Sequence, residues 1–74
     1  MSPALSDLPV RKVLRVLESV GFEHVRTAGS HAVYRRGDDG RTAVVPLHGT
    51  VKRGTLASIL RQAGMTATEF LNLL

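Results

Sequence analysis

Apolar residues recur at three- and four-residue steps early in the chain, at Val10, Val13, Leu14, Leu17 and Val20. That period puts them on one helix face, with Arg11, Lys12, Arg15, Glu18 and Ser19 on the other. The spacing predicts a helix over 6–20, with Ser6 as its cap and Pro9 in its first turn. Gly21 is the stop signal, and it lets Phe22 fold back onto Leu17. From Phe22 onward the pattern becomes short segments bounded by Gly, Ser and Asp. These read as three strands: Phe22 to Ala28, His31 to Arg36 and Arg41 to Pro46. Gly29-Ser30 separates the first two, and Gly37-Asp38-Asp39-Gly40 supplies a turn between the last two. Pro46 cannot donate to a ladder and marks the end of the third.

A helical period returns over 51–63, where Leu56, Ile59, Leu60 and Ala63 share a face. Gly64 ends this helix, and Met65 can reach back to Leu60. Thr66 then opens a short last helix. Thr66 and Glu69 have the spacing of a capping box, Met65 and Phe70 that of a hydrophobic staple, and Leu71, Leu73 and Leu74 supply apolar contacts. Helix, three-stranded antiparallel sheet, helix and short C-terminal helix predict an α+β domain of two layers spanning 1–74. The helices gather on one face of the sheet and leave the other free for water or a ligand.

Composition narrows what such a domain can do. With 74 residues, 43% hydrophobic and 22% charged, the chain is ordered but too small for a cleft between two lobes. It has no cysteine, which excludes disulfides, cysteine-ligated zinc and a thiol nucleophile, and suits a reducing compartment. Met1 to Val10 lacks the basic stretch and apolar run of a signal peptide. No apolar run approaches the roughly 20 residues of a membrane helix. The expected location is the cytoplasm, with no membrane contact. Ten Lys and Arg face six Asp and Glu, a net charge of +4. Arginine dominates, at Arg11, Arg15, Arg26, Arg35, Arg36, Arg41, Arg53 and Arg61. Its forked guanidinium suits phosphate, so a polyanion or an acidic partner is expected.

The hairpin arithmetic places the first candidate for chemistry. If Gly37 to Gly40 form a four-residue loop, Arg36 pairs with Arg41 and His31 falls opposite Pro46. His48 lies two residues further on, so both histidines come to the sheet end away from the hairpin tip. Histidine titrates near neutrality. A pair of them can serve as base and acid in RNA cleavage, one deprotonating a ribose 2′-hydroxyl and the other protonating the leaving 5′-oxygen. Ser30, or N–H groups at Gly29, would hold a phosphate oxygen. The competing reading makes His31 an ordinary surface histidine at a strand end, and the residues alone leave both open. His24 reads as surface.

A second candidate is Thr50-Val51-Lys52-Arg53-Gly54-Thr55. A helix start favours acidic residues, yet this one carries Lys52 and Arg53, and Gly54 weakens its first turn. It is either a phosphate trap or a poorly optimised loop. Arg35, Arg36 and Arg41 around the hairpin can grip a nucleic-acid backbone, although Asp38 and Asp39 partly cancel them. Tyr34 is either a base-stacking residue or core. There is no Walker loop and no dinucleotide fingerprint. His24, His31 and His48, without nearby cysteine or acid, make a poor zinc site, so neither a metal nor a cofactor is expected. Strands between the first two helices disfavour a helix-turn-helix.

One set of motifs has a familiar order. Gly21-Phe22 closes the first helix. Gly29-Ser30-His31, Val45-Pro46 with His48, Gly54-Thr55-Leu56 with Ile59-Leu60, Ala63-Gly64 and Glu69-Phe70 follow. From about Val10 to Leu74 the chain resembles the HicA (YcfA-like) toxin family. The resemblance implies a double-stranded-RNA-binding-domain-like fold and a toxin of a type II toxin–antitoxin pair. It implies an endoribonuclease that cleaves mRNA and so arrests translation and growth. The histidine of the Gly-Ser-His element is the family's catalytic residue and maps onto His31; the histidine after the proline maps onto His48. A HicB-type antitoxin is the implied protein partner, masking that histidine. Many members carry a basic or polar residue where this chain has Ala28. A non-catalytic RNA-binding module of the same fold is the alternative.

Overall fold

The chain runs β1 (Leu8–Pro9), α1 (Val10–Ser19), β2 (Phe22–Ala28), β3 (His31–Arg36), β4 (Thr42–Pro46), β5 (Thr50–Val51), α2 (Arg53–Ala63) and α3 (Ala67–Asn72). The structure is a computed structural model and describes residues 4–74. Met1–Pro3, the beginning of the stretch read above as lacking a signal peptide, lie outside the described residues.

Strands β2, β3 and β4 form an antiparallel sheet in that spatial order. The hairpin closes as the turn residues dictate: the Arg36 N–H donates to the Arg41 carbonyl at 2.9 Å, and the Gly40 N–H returns to the Arg36 carbonyl at 2.9 Å. Alternation then sorts the side chains. Ala32 and Tyr34 of β3, with Ala43 and Val45 of β4 and Phe22 of β2, turn into the core. There they meet Val13, Val16 and Leu17 of α1, Leu56, Ile59, Leu60 and Ala63 of α2, and Phe70 of α3. Burying a Val, Leu or Phe side chain contributes roughly 1.5–3 kcal/mol, so this layer carries most of the stabilising energy. Among the described residues no element packs on the opposite face of the sheet.

Two boundaries differ from the periodicity. The first helix begins at Val10 rather than Ser6; Pro9 is its N-cap and no side chain caps it. Leu8 precedes a proline, a position pushed out of the helical region, and Pro9 itself is extended at φ −58°, ψ 137°. Leu8 and Pro9 instead pair antiparallel with Val51 and Thr50. The same small ladder shortens the second helix, which begins at Arg53 after an extended Lys52 (φ −70°, ψ 150°). Helical periodicity shows where apolar faces lie, but it does not register a two-residue ladder at the helix starts.

The helix ends follow local rules more closely. At the end of α2 the Met65 N–H reaches back to the Leu60 carbonyl at 2.9 Å. Gly64 is left-handed there (φ 72°), the backbone angle that favours glycine, while a Cβ on it would meet only the movable end of the Arg41 side chain. Thr66 Oγ1 accepts from the Glu69 N–H at 3.1 Å while Glu69 Oε1 accepts from the Thr66 N–H at 2.8 Å. These bonds complete the capping box and hold the Glu69 carboxyl below its usual range, the Thr66 N–H contributing most. One feature of the sheet has no local signal: β2 slips against β3 between His24 and Arg26, a bulge at Val25.

Candidate active site

His31 is the first residue of β3, exposed, and paired with Ala28 across the turn and with Pro46 across the sheet. That is the register the hairpin arithmetic predicts. The link from β2 is only Gly29-Ser30, and Gly29 takes φ 59° with open space around it. Glycine is favoured there by the backbone angle, which a short hairpin link of this kind demands. After Pro46 the chain turns across the end of β3, where the Leu47 N–H donates to the Ser30 carbonyl at 2.6 Å. His48 is the next residue, exposed, so it follows the point where the loop is fastened beside His31.

The same end of the sheet gathers both long-helix starts. The Val10 N–H donates to the Gly49 carbonyl at 3.2 Å, and the β1–β5 ladder brings Leu8 beside Val51. Arg11 and Lys12 therefore lie in the first turn of α1, and Lys52 and Arg53 at the start of α2, around the loop that carries His48. All four are exposed.

The α2 start differs from the sequence reading in one respect. It has no acid of its own, but Asp7 supplies one from 46 residues away: Asp7 Oδ1 accepts from the Arg53 N–H at 2.8 Å. Asp7 Oδ2 lies 3.6 Å from Lys52 Nζ. The helix start thus already holds a carboxylate where a phosphate was expected. Nothing local in the sequence signals this, because β1 alone carries Asp7 there. The pair is well exposed, 76% at Lys52 and 47% at Asp7, so its ionic part is weak and salt-sensitive.

The remaining candidates separate by face. Arg35 is exposed on the same face as His31, four residues along β3. Arg36 points the other way. Its guanidinium lies 4.7 Å over the Phe22 ring and donates to the Val20 and Ala63 carbonyls at 3.3 and 3.4 Å. It also makes a two-pronged contact with Asp39, at 3.2 and 2.8 Å. Arg36 is thereby engaged within the fold, fastening the C-terminal ends of α1 and α2 to the hairpin, rather than offered to solvent as a phosphate grip. Arg41 reaches the Gln62 carbonyl at 3.4 Å. The hydrogen bonds from Arg36, and next the Arg41 N–H, draw the Asp39 carboxyl down to about 2. Strict alternation along β3 would have separated Arg35 from Arg36; reading them as one basic pair missed it.

Tyr34 is 6% exposed and belongs to the core, so it is not a base-stacking platform. Burial, and secondarily the Glu18 charge, raises its hydroxyl above the usual range. His24 lies on the helix side at the β2 edge, bonded to Thr27 Oγ1 at 2.8 Å, with its ring 5.5 Å from that of Tyr34.

Helix, three-stranded antiparallel sheet and helix, with the helices on one face, define the class: a double-stranded-RNA-binding-domain-like α+β fold. The chain's own lineage follows from its residues. The family described as "HicA toxin of bacterial toxin-antitoxin" matches residues 10–65, and the chain belongs to that family. It is a toxin of a toxin–antitoxin system, and an antitoxin is its partner. No curated protein matches the chain closely enough to count as a relative. Among the described residues, no helix is long and apolar enough to cross a membrane.

Proposed function

We propose that this toxin is a metal-independent endoribonuclease that cleaves mRNA in the cytoplasm, with His31 as its catalytic residue and a HicB-type antitoxin as the partner that masks it. The observation that carries the reading is the setting of His31. It is exposed at a strand start, behind a glycine-permitted turn, with the His48 loop fastened to the adjacent Ser30 carbonyl at 2.6 Å.

The chemistry needs two proton transfers. One imidazole takes the proton of a ribose 2′-hydroxyl as O2′ forms its bond to the adjacent phosphorus. The P–O5′ bond breaks, and a second group gives a proton to the departing 5′-oxygen. The products are a 2′,3′-cyclic phosphate and a 5′-hydroxyl, and protons balance. His31 and His48 fill the two roles. The Ser30 hydroxyl and the Gly29 turn lie beside the reacting phosphate, while Lys52, Arg53 and Arg35 hold neighbouring ones. Arg36 is left out of this set because its donors are already engaged.

The test is RNA cleavage in EDTA by wild type and His31→Ala, with circular dichroism confirming that both fold. The reading expects cleavage by wild type and a loss of at least about 100-fold in the variant, the ordinary contribution of a positioned acid or base. Equal cleavage by both would remove His31 from the chemistry. RNA retained by both and cut by neither would leave the non-catalytic RNA-binding module.

A further inference from the structure

The face of the sheet away from the helices has its own pattern. Its positions run in three rows across the strands. Ala28, His31 and Pro46 form the first, Arg26, Val33 and Val44 the second, and Glu23, Arg35 and Thr42 the third. The second row is there because of the bulge. Phe22 faces the core, so strict alternation would send Arg26 to the helix side as well. The extra residue at Val25 shifts the phase and brings Arg26 opposite Val33, onto the face of His31. Arg26 and Arg35 are both exposed, and neither has a hydrogen-bond or ion-pair partner among the described residues. Glu23 lies across from Arg35 without pairing to it. At the β2 edge a hollow of about 190 Å³ is lined by Glu23, His24, Val25, Arg35 and Gly37.

We infer that this open face is the track of a single RNA strand running from His31 toward Arg35, and that Arg26 grips the phosphate next to the one at which His31 acts. The inference rests on the ribonuclease reading for the identity of the ligand and goes beyond it in naming the path and Arg26. Rows repeat every two residues, about 7 Å along the strands, which is close to the spacing of phosphates in an extended nucleic-acid strand. Three strands are about 10 Å across, room for one strand and too narrow for a duplex. Val33, 9% exposed, and the half-buried Val44 lie between the cations as an apolar base that the side chains around it largely cover. With no Phe, Tyr or Trp on the face, affinity comes chiefly from phosphate contacts and falls with salt.

Binding is measured on a 2′-O-methyl octaribonucleotide, which cannot be cut, and cleavage on an unmodified octamer and dinucleotide. Arg26→Ala is expected to weaken octamer binding about tenfold, the effect of one charge-assisted hydrogen bond. The salt slope should become shallower by about 0.7, the share of one single-strand phosphate. Arg26→Lys should recover part of both. In cleavage, KM for the octamer rises, while the dinucleotide, with one phosphate, is cut equally by both proteins. Octamer binding unchanged in a folded Arg26→Ala overturns the track even if wild type cleaves, and the His31 reading then stands alone. Loss on the dinucleotide as well overturns it too, since Arg26 would then act at the reacting phosphate. Arg26-dependent binding with no cleavage by wild type keeps the track and removes the ribonuclease. A wild-type protein that does not bind the octamer overturns the track.

Discussion

At the hairpin tip Arg36, Asp39 and Arg41 answer one another at 2.8–3.6 Å, and Arg36 also reaches carbonyls at the ends of α1 and α2. At the other end of the sheet the side chains of His31 and His48 have no hydrogen-bond partner among the described residues, while His24, away from that end, bonds Thr27. Of the cations there, Lys52 faces one exposed carboxylate, Asp7, which also accepts from the Arg53 backbone N–H and leaves the Arg53 guanidinium without a partner among the described residues. Both ends are polar and carry arginine, so charge content does not distinguish them. What differs is whether the donors are already satisfied. A closed network positions backbone; an open one keeps donors and a titratable pair available for an incoming anion.

That contrast can be broken in order of effect. His31→Ala should abolish cleavage while leaving the melting midpoint within error, since an exposed ring with no internal bond contributes little to folding; a large drop in the midpoint would show that the open end is structural. Arg36→Ala should do the reverse, lowering the midpoint by several degrees because the Phe22 packing and two carbonyl contacts go together. Arg36→Met, which keeps packing volume, should recover part of the loss, and an unchanged midpoint in both would dissolve the strut. Asp7→Ala should cost about 1 kcal/mol of stability by denaturant titration, the usual value of a cap. It should also tighten RNA binding, because the Arg53 N–H and Lys52 are then free for phosphate; weaker RNA binding would contradict the account of that helix start.

The smallest effect is with pH. The Asp39 carboxyl is held down to about 2 from an ordinary 3.8. Its contribution is therefore present above the higher value and lost as pH falls toward the lower. Wild type should lose stability between about pH 4 and pH 2 more steeply than Asp39→Asn, which starts lower and stays flatter. Parallel melting curves across that window would rule the network out as a source of acid sensitivity.

Most of the fold was legible because its signals are local. Thr66 and Glu69 cap α3 from within one turn, and the sequence alone places them. Gly37 to Gly40 fix the hairpin register, and with it His31 opposite Pro46. The start of α2 obeys the same electrostatic rule as α3, yet its acid is 46 residues away, where no window of sequence can see it. The ladder that delivers Asp7 is only two residues long on each side, too short for an alternating pattern. The Val25 bulge is equally silent: its segment carries no glycine or proline to mark it, and without it Arg26 falls on the wrong face. His31 and His48 could be brought to one end from the hairpin alone, while the division of labour between Arg35 and Arg36 needed the packing of Phe22.

The Asp7 link has a consequence in time. Strands β2 to β4 contact near neighbours in the chain, so this part of the sheet can close early during synthesis. The surroundings of His31 and His48 cannot. They require β1 to find β5 and Asp7 to find Arg53, a closure that waits until that arginine has emerged. A growing chain therefore carries both histidines before β5 and Arg53 are available to close that end of the fold around them.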